Sequence, residues 1–227
     1  MVLTIHHLHV SQSERLPWLC EELNIPYELK TYHRAPLLAP PEYKTLHPAG
    51  TAPIIQDGDL TLAESCACIE YISHRYADGK LFLTPSHHRY ADFLYWWHWA
   101  DGTFSPSVTR SMMMRGAGVS EENQFMVITR TRLRKALEAL DERLAGNVWL
   151  AGEEFTVADL MVVFLLTTFR YFEPFGLGEY ANIVAFLGRV GERKAYQVAM
   201  AKCDPDMELL LGEEGPERTF VEVNRGD

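Results

Sequence analysis

The sequence predicts a small mixed α/β half followed by an all-helical half. Three observations predict this. A strand, a helix and a second strand follow one another within Leu3–Tyr32; an Asp57-Gly58 step separates two further apolar runs; and beyond a polar linker at residues 77–86 only helical spacing remains.

The elements can be justified in order. Leu3–Leu8 is a short strand run. From about Ser13, Leu16, Leu19, Cys20 and Leu23 recur at helical spacing. Asn24 is a favoured helix end and Pro26 forbids continuation. Tyr27–Tyr32 is a second strand, and strand, helix and strand in about 30 residues make a right-handed βαβ unit with parallel strands. Pro36, Pro40 and Pro41 precede a short helical stretch over Glu42–Leu46. Pro53–Gln56 and Asp59–Leu62 flank Asp57-Gly58, a hairpin signal that makes them antiparallel. Glu64–Tyr76 reads as a helix with Ile69, Ile72 and Tyr76 on one side. The order βαβ-α-ββα is the thioredoxin-like plan. In the second half Met126, Leu133, Leu137, Leu140 and Leu144 share a helical face that ends before Gly146. Thr156 and Asp159 form a capping box with Asp in place of Glu, and the run from Leu160 to Phe169 is apolar all round. Helices continue to about Lys202, and the polar tail from Asp204 carries no functional signal. The expected domains are residues 1–80 and 81–227.

Composition narrows the function classes. Of 227 residues, 47% are hydrophobic and 23% charged, enough apolar matter for a sizeable core. The net charge of -10 disfavours a nucleic-acid partner and an anionic membrane surface. Four cysteines are not a disulfide framework. The first residues lack the basic region of a signal peptide, and the run Leu160–Leu166 is too short to span a bilayer, so a cytoplasmic location is expected.

Chemistry can sit at three places in the first half. Ser11 and Ser13 stand where a strand gives way to a helix, and free N–H groups and the dipole there favour negative charge. Capping accounts for such a serine; the functional alternative is a hydroxyl that donates to a bound anion such as a thiolate. In Thr51-Ala52-Pro53-Ile54, a cis Ala52–Pro53 bond would turn the Ala52 backbone outward for an extended peptide to pair with. Glu64-Ser65 opens a helix, where a hydroxyl and N–H groups suit a carboxylate and the acid suits an ammonium. Other chemistries lack their residues. His6, His7 and His9 invite a metal, but only His7 and His9 share a strand face and no Cys or acid follows at ligand spacing, so none is expected. No Gly-x-Ser-x-Gly elbow exists, and Cys66 and Cys68 cannot face each other on a helix.

Taken together, these segments closely resemble the cytosolic glutathione transferases. Ser11–Leu16 and Trp18–Asn24 are similar to the first helix of their serine-type fungal and bacterial branch; Ala39–Lys44, His47–Pro53, Leu62–Ser65, His98–Gly102 and Phe155–Asp159 follow in family order, and the likeness runs from Leu3 to Met200. It implies the glutathione transferase architecture and a thiol-activating hydroxyl at Ser11, four residues before Arg15, with Ser13 as the alternative. It also implies a glutathione site made of Arg15, Lys44, Ala52, Pro53, Glu64, Ser65 and, from the partner in a homodimer, Asp101. Ala52 would pair with the cysteinyl unit, and Glu64 and Ser65 would hold the γ-glutamyl ammonium and carboxylate. Leu38 and Thr51 stand where relatives often carry a basic residue for the glycyl carboxylate, which leaves Lys44 to meet it. The implied reaction is conjugation of the glutathione thiolate, a co-substrate, to an apolar electrophile in detoxification. The alternatives are a non-catalytic binding or assembly module and a glutathione-dependent peroxidase or ether lyase. The absence of Cys at position 11 argues against the branch that attacks with its own thiol. Tyr95, Trp96, Trp97, Trp99 and Phe104 lie on one aromatic helix before Met112–Met114. Helical aromatics are ordinarily core; as the electrophile site, Trp99 and Phe104 are the candidates.

Overall fold

A computed structural model describes residues 2–224; Met1 and residues 225–227, which the expected domains include, lie outside the described residues. The chain forms two compact units. The first holds the chain up to Phe82 together with Val190–Leu209, and the second holds Leu83–Arg189 and Leu210–Phe220.

The first unit is built from β1 (Leu3–Leu8), α1 (Arg15–Leu23), β2 (Tyr27–Tyr32), α2 (Pro41–Lys44), β3 (Ile54–Asp57), β4 (Leu60–Ala63) and α3 (Ser65–Ala77). Its sheet has the order β2-β1-β3-β4, with β1 and β2 parallel and the other pairs antiparallel. β1 is central and buried along its whole length. The two-residue hairpin turn is Gly58-Asp59, one residue beyond the expected Asp57-Gly58, because Gly58 supplies the positive φ of 60° that the turn requires. α1 ends as expected at Asn24, in the left-handed conformation. A short 3-10 turn over Gln12–Glu14 precedes it, so the α-helix itself starts two residues later than the spacing suggests. Leu8, Ala39, Tyr43, Ile54 and Ala63 make a buried cluster on the sheet, with Tyr32, Leu46 and Ala52 packed against it.

The second unit contains α4 (Tyr90–Trp99), a π-turn over Ala100–Phe104, α5 (Ser105–Gly116), α6 (Gln124–Ala145), α7 (Val157–Leu166) and most of α8 (Ala181–Gly191). Every residue of α7 is buried, which is why its sequence is apolar all round. The capping box is present: the Asp159 carboxylate accepts from the Thr156 N–H at 2.8 Å and also from the Leu150 N–H at 2.8 Å. The tail is not idle either, for the buried Arg170 guanidinium donates to the carbonyls of Gly212 and Glu213 at 3.0 and 2.9 Å.

The expected assignment of every helix after residue 81 to the helical half departs from the structure at α9 (Lys194–Cys203), which packs on α1 within the first unit. Its buried face of Tyr196, Ala199, Met200 and Cys203 does the packing, with Tyr196 edge-on to Trp18 at 4.9 Å. Arg193, just before it, grips Glu22 of α1 with two bonds of 2.7 Å. An apolar stripe specifies that a helix packs, not on which domain.

Burial pushes the Asp159 carboxyl up to about 6, against the backbone N–H groups that lower it. A folded value above the unfolded one means that stability is greatest at low pH and declines as pH rises through about 6. Compared with Asp159→Asn, which cannot titrate, the wild type should lose about 2 kcal/mol of relative stability between pH 4.5 and 7.5 in denaturant melts. A pH-independent difference would contradict the burial of a titrating carboxyl.

Candidate active site

The junction of β1 and α1 is strained and heavily braced. Val10 has φ 49°, a left-handed conformation that a β-branched residue rarely takes. Its N–H donates to Asp204 Oδ1 at 3.1 Å and its carbonyl accepts from Arg34 Nη2 at 2.8 Å. Arg34 also donates to the carbonyls of His9 and Leu37, so this half-buried cation is spent on loop carbonyls. Held this way, Val10 delivers Ser11 in extended conformation as the N-cap of the 3-10 turn, its Oγ accepting from the Ser13 N–H at 3.3 Å.

From Ser11 a line of polar groups runs inward. Ser11 Oγ lies 2.7 Å from Ser13 Oγ, and Ser13 Oγ lies 2.9 Å from His7 Nδ1 while accepting from the Leu8 N–H at 3.1 Å. His7 Nε2 lies 3.1 Å from Asp204 Oδ2. His9 Nδ1 pairs with the other carboxylate oxygen. Ser13 and His7 have no exposed surface and Ser11 retains 5%. Burial alone would raise the Asp204 carboxyl, but the hydrogen bonds from His7 and the Val10 N–H, together with His9, outweigh it and hold it below the usual carboxylate range.

Of the other expected residues of the first unit, Ala52, Arg15 and Ser65 are tied to the same junction. The Ala52–Pro53 peptide is cis. Gln12 Nε2 donates to the Ala52 carbonyl at 2.8 Å, and Arg15 Nη1 donates to Gln12 Oε1 at 3.0 Å and to Ser65 Oγ at 3.2 Å. Arg15 is buried, an interior brace joining the start of α1 to the start of α3. Ser65 is the first residue of α3, where helix N–H groups are unsatisfied by the helix itself. Glu64 before it is exposed, with φ 77° and ψ 127°. Strain of this kind persists where the surroundings impose it and clusters at functional sites. Lys44 is exposed at the end of α2, its side-chain carbons over Gly50, which has φ 61°. Leu38 and Thr51 are exposed, and neither supplies a charge.

Trp99, Asp101 and Phe104 belong to the second unit. Asp101 is exposed in the π-turn. Trp99 and Phe104 stack on each other at 5.1 Å, and Phe104 is completely buried. Trp99 retains 7% of its surface, and the stacked pair packs within this unit. Tyr95 and Met113 of the same region are the exposed ones. A surface pocket of about 360 Å³ in this unit is lined by Arg130, Leu133, Arg134, Glu173 and Tyr180, and none of the expected site residues borders it.

Among the described residues, no group of three His, Cys, Asp or Glu side chains is disposed to hold a metal ion. His6 is a satisfied core histidine, bonded to Tyr32 Oη and Gln56 Oε1. Sequence reasoning missed Gln12, His7 and Asp204. The alternation of His7 and His9 on one strand face was a usable signal; nothing local pointed to Asp204.

Comparisons with known proteins agree with this geometry. Residues 11–75 match the family model described as glutathione S-transferase, N-terminal domain, and residues 95–194 match the corresponding C-terminal domain. Glutathione S-transferase 3 of Schizosaccharomyces pombe is 28% identical over 93% of this chain and 92% of its own. GstB, a glutathione S-transferase of Escherichia coli, is 31% identical over 63% of this chain and 70% of its own. Among solved structures, a glutathione S-transferase from Actinobacillus pleuropneumoniae superposes with a TM-score of 0.81 at 31% identity, covering 92% of this chain and 95% of that one. With its sheet order, its paired helix starts and relatives that span nearly its whole length, the chain belongs to the glutathione S-transferase family.

Proposed function

We propose that this glutathione transferase is of the serine type and conjugates the glutathione thiolate to apolar electrophiles, with Ser11 facing the sulfur. The observation that supports this most is the tie through Gln12 and Arg15, which gathers the Ser11 turn, the Ala52 carbonyl and Ser65 into one cluster. In this reading the Ala52 backbone pairs with the cysteinyl unit beside Pro53, Ser65 and the α3 start take the γ-glutamyl carboxylate, and Glu64 takes the ammonium. Lys44 meets the glycyl carboxylate. The active form is a homodimer in the cytoplasm, to which a partner subunit contributes Asp101.

A free cysteine thiol ionises near ~8.5, so little thiolate is present at neutral pH. A fall of two units requires about 2.7 kcal/mol of preference for the anion. A charge-assisted bond from Ser11 and the positive end of the following helix supply energy of that order. Ser13 is the weaker choice for this role: it is fully buried and already engaged by the Leu8 N–H, His7 and Ser11.

Ser11→Ala should lower turnover of a chloroarene at neutral pH by about 10- to 100-fold while glutathione affinity, read by calorimetry, changes less than about threefold. Unaltered turnover would remove Ser11 from the mechanism, and wild-type binding without turnover would favour a binding module. Glu64→Gln and Ser65→Ala should each weaken glutathione binding by roughly tenfold, the worth of one charge-assisted bond, without moving the pH at which the bound thiol ionises. Unchanged affinity in both would displace the γ-glutamyl group from the α3 start.

A further inference from the structure

We propose that the buried pair His7–Asp204 receives the thiol proton of glutathione through Ser13 and Ser11, so that the enzyme stores this proton internally while the thiolate reacts. The proposal rests on the reading of Ser11 as the group that faces the sulfur, and it adds the destination of the proton.

The hydrogen-bond directions follow from the donor inventory. Asp204 is an acceptor for His7, His9 and the Val10 N–H together, which favours its ionised form. A neutral His7 therefore carries its proton on Nε2 and presents Nδ1 as an acceptor. The Ser13 oxygen accepts from the Leu8 N–H, and its single proton goes to His7 Nδ1 at 2.9 Å in preference to the Leu8 carbonyl, which is at 3.5 Å. With that proton used, the 2.7 Å bond between the serines is donated by Ser11. In the resting state every proton on the line points inward, and Ser11 offers an incoming thiol a lone pair rather than a proton.

Ionisation reverses the line. The S–H bond breaks and its proton bonds to Ser11 Oγ; the former Ser11 proton passes to Ser13 Oγ; the former Ser13 proton passes to His7 Nδ1. The products are a thiolate and an imidazolium, with no change in oxidation state and no loss of a hydrogen bond. His7 now donates to Ser13, Ser13 donates to Ser11, and Ser11 donates to the sulfur anion. The same step that removes the proton turns Ser11 into the donor that stabilises the thiolate. After the electrophile has bonded to sulfur and its leaving group has departed with the bonding pair, the proton returns by the same path to water entering the vacated site.

The setting suits a stored proton. Ser13, His7 and Asp204 are nearly or completely buried, so the imidazolium would be compensated chiefly by Asp204. The other titratable or charged groups that bear on the pair are His9 just after β1, Arg34 from the loop after β2 and Cys203 from α9, the last itself under the charge of Glu14 in the 3-10 turn; Thr31, across the sheet in β2, brings no charge. His7 and Asp204 do not touch substrate and act through the serines, as positioning residues.

The test cuts the line at two separate links. Asp204→Asn removes the counter-charge, and Ser13→Ala removes the conduit while leaving Ser11 in place. Each should raise the pH midpoint of the bound thiolate, followed by its ultraviolet absorbance, by about one unit, and lower kcat/KM on the acid side about tenfold. Glutathione affinity should change less than about twofold. Because both variants break one line, the double variant should shift the midpoint no further than either single one. Unmoved midpoints, or additive shifts in the double variant, would overturn the proposal, as would lost affinity with an unmoved midpoint. A wild type that binds no glutathione would instead overturn the reading of the site on which it rests.

Discussion

One buried carboxylate organises the candidate site. Asp204, just after α9, accepts from His7 and from the Val10 N–H and pairs with His9, and so fixes the end of β1 from the far end of the chain. A buried charge is tolerable only when it is paired and hydrogen-bonded, and every one of these partners is on the segment that delivers Ser11. The left-handed Val10 is the local cost of that arrangement. α9 packs on α1, and this is what brings Asp204 to the site.

Electrostatics in this enzyme is local, not global. At a net charge of -10 the chain gains nothing from long-range attraction of an anionic tripeptide. At the junction Arg15 is buried and Arg34 half-buried, and the two are committed to Gln12, Ser65 and loop carbonyls. Their work is to hold three loops in register. In the proposed site, anion recognition falls to the helix starts at Ser11 and Ser65, whose N–H groups carry no net charge but point in fixed directions. A site of this kind relies on preorganisation, which is why strained residues, Val10 and Glu64, stand next to both serines.

Much of this was legible in the sequence, and the remainder shares a physical cause. Element order and type in the first half followed from local signals: Asn24 and Pro26 ending α1, and the glycine-bearing turn between the apolar runs of β3 and β4. The capping box at Thr156 and Asp159 was legible because both partners lie within one helical turn. Ser11, Ala52, Pro53, Glu64 and Ser65 were singled out by their place at element ends, and the structure brings their elements together in the first unit. Asp204 was not, because its partners lie nearly the whole chain away and a polar tail residue has no periodicity to betray it. Gln12 carries no local signal between two serines, though its side chain joins the 3-10 turn before α1 to the cis-proline turn. The burial of Trp99 and Phe104 was not legible, because an aromatic helix looks the same in sequence whether its rings line a site or fill a core.

The most direct measurement is the proton count on glutathione binding. Calorimetric titrations at neutral pH in buffers of differing ionisation enthalpy report how many protons enter the solvent as the bound thiol ionises. If His7 and Asp204 retain the proton, thiolate forms with close to no net release, and the binding enthalpy is nearly independent of buffer. Release of about one proton per thiolate formed would contradict the account, because the proton would then have gone to water and not to the buried pair.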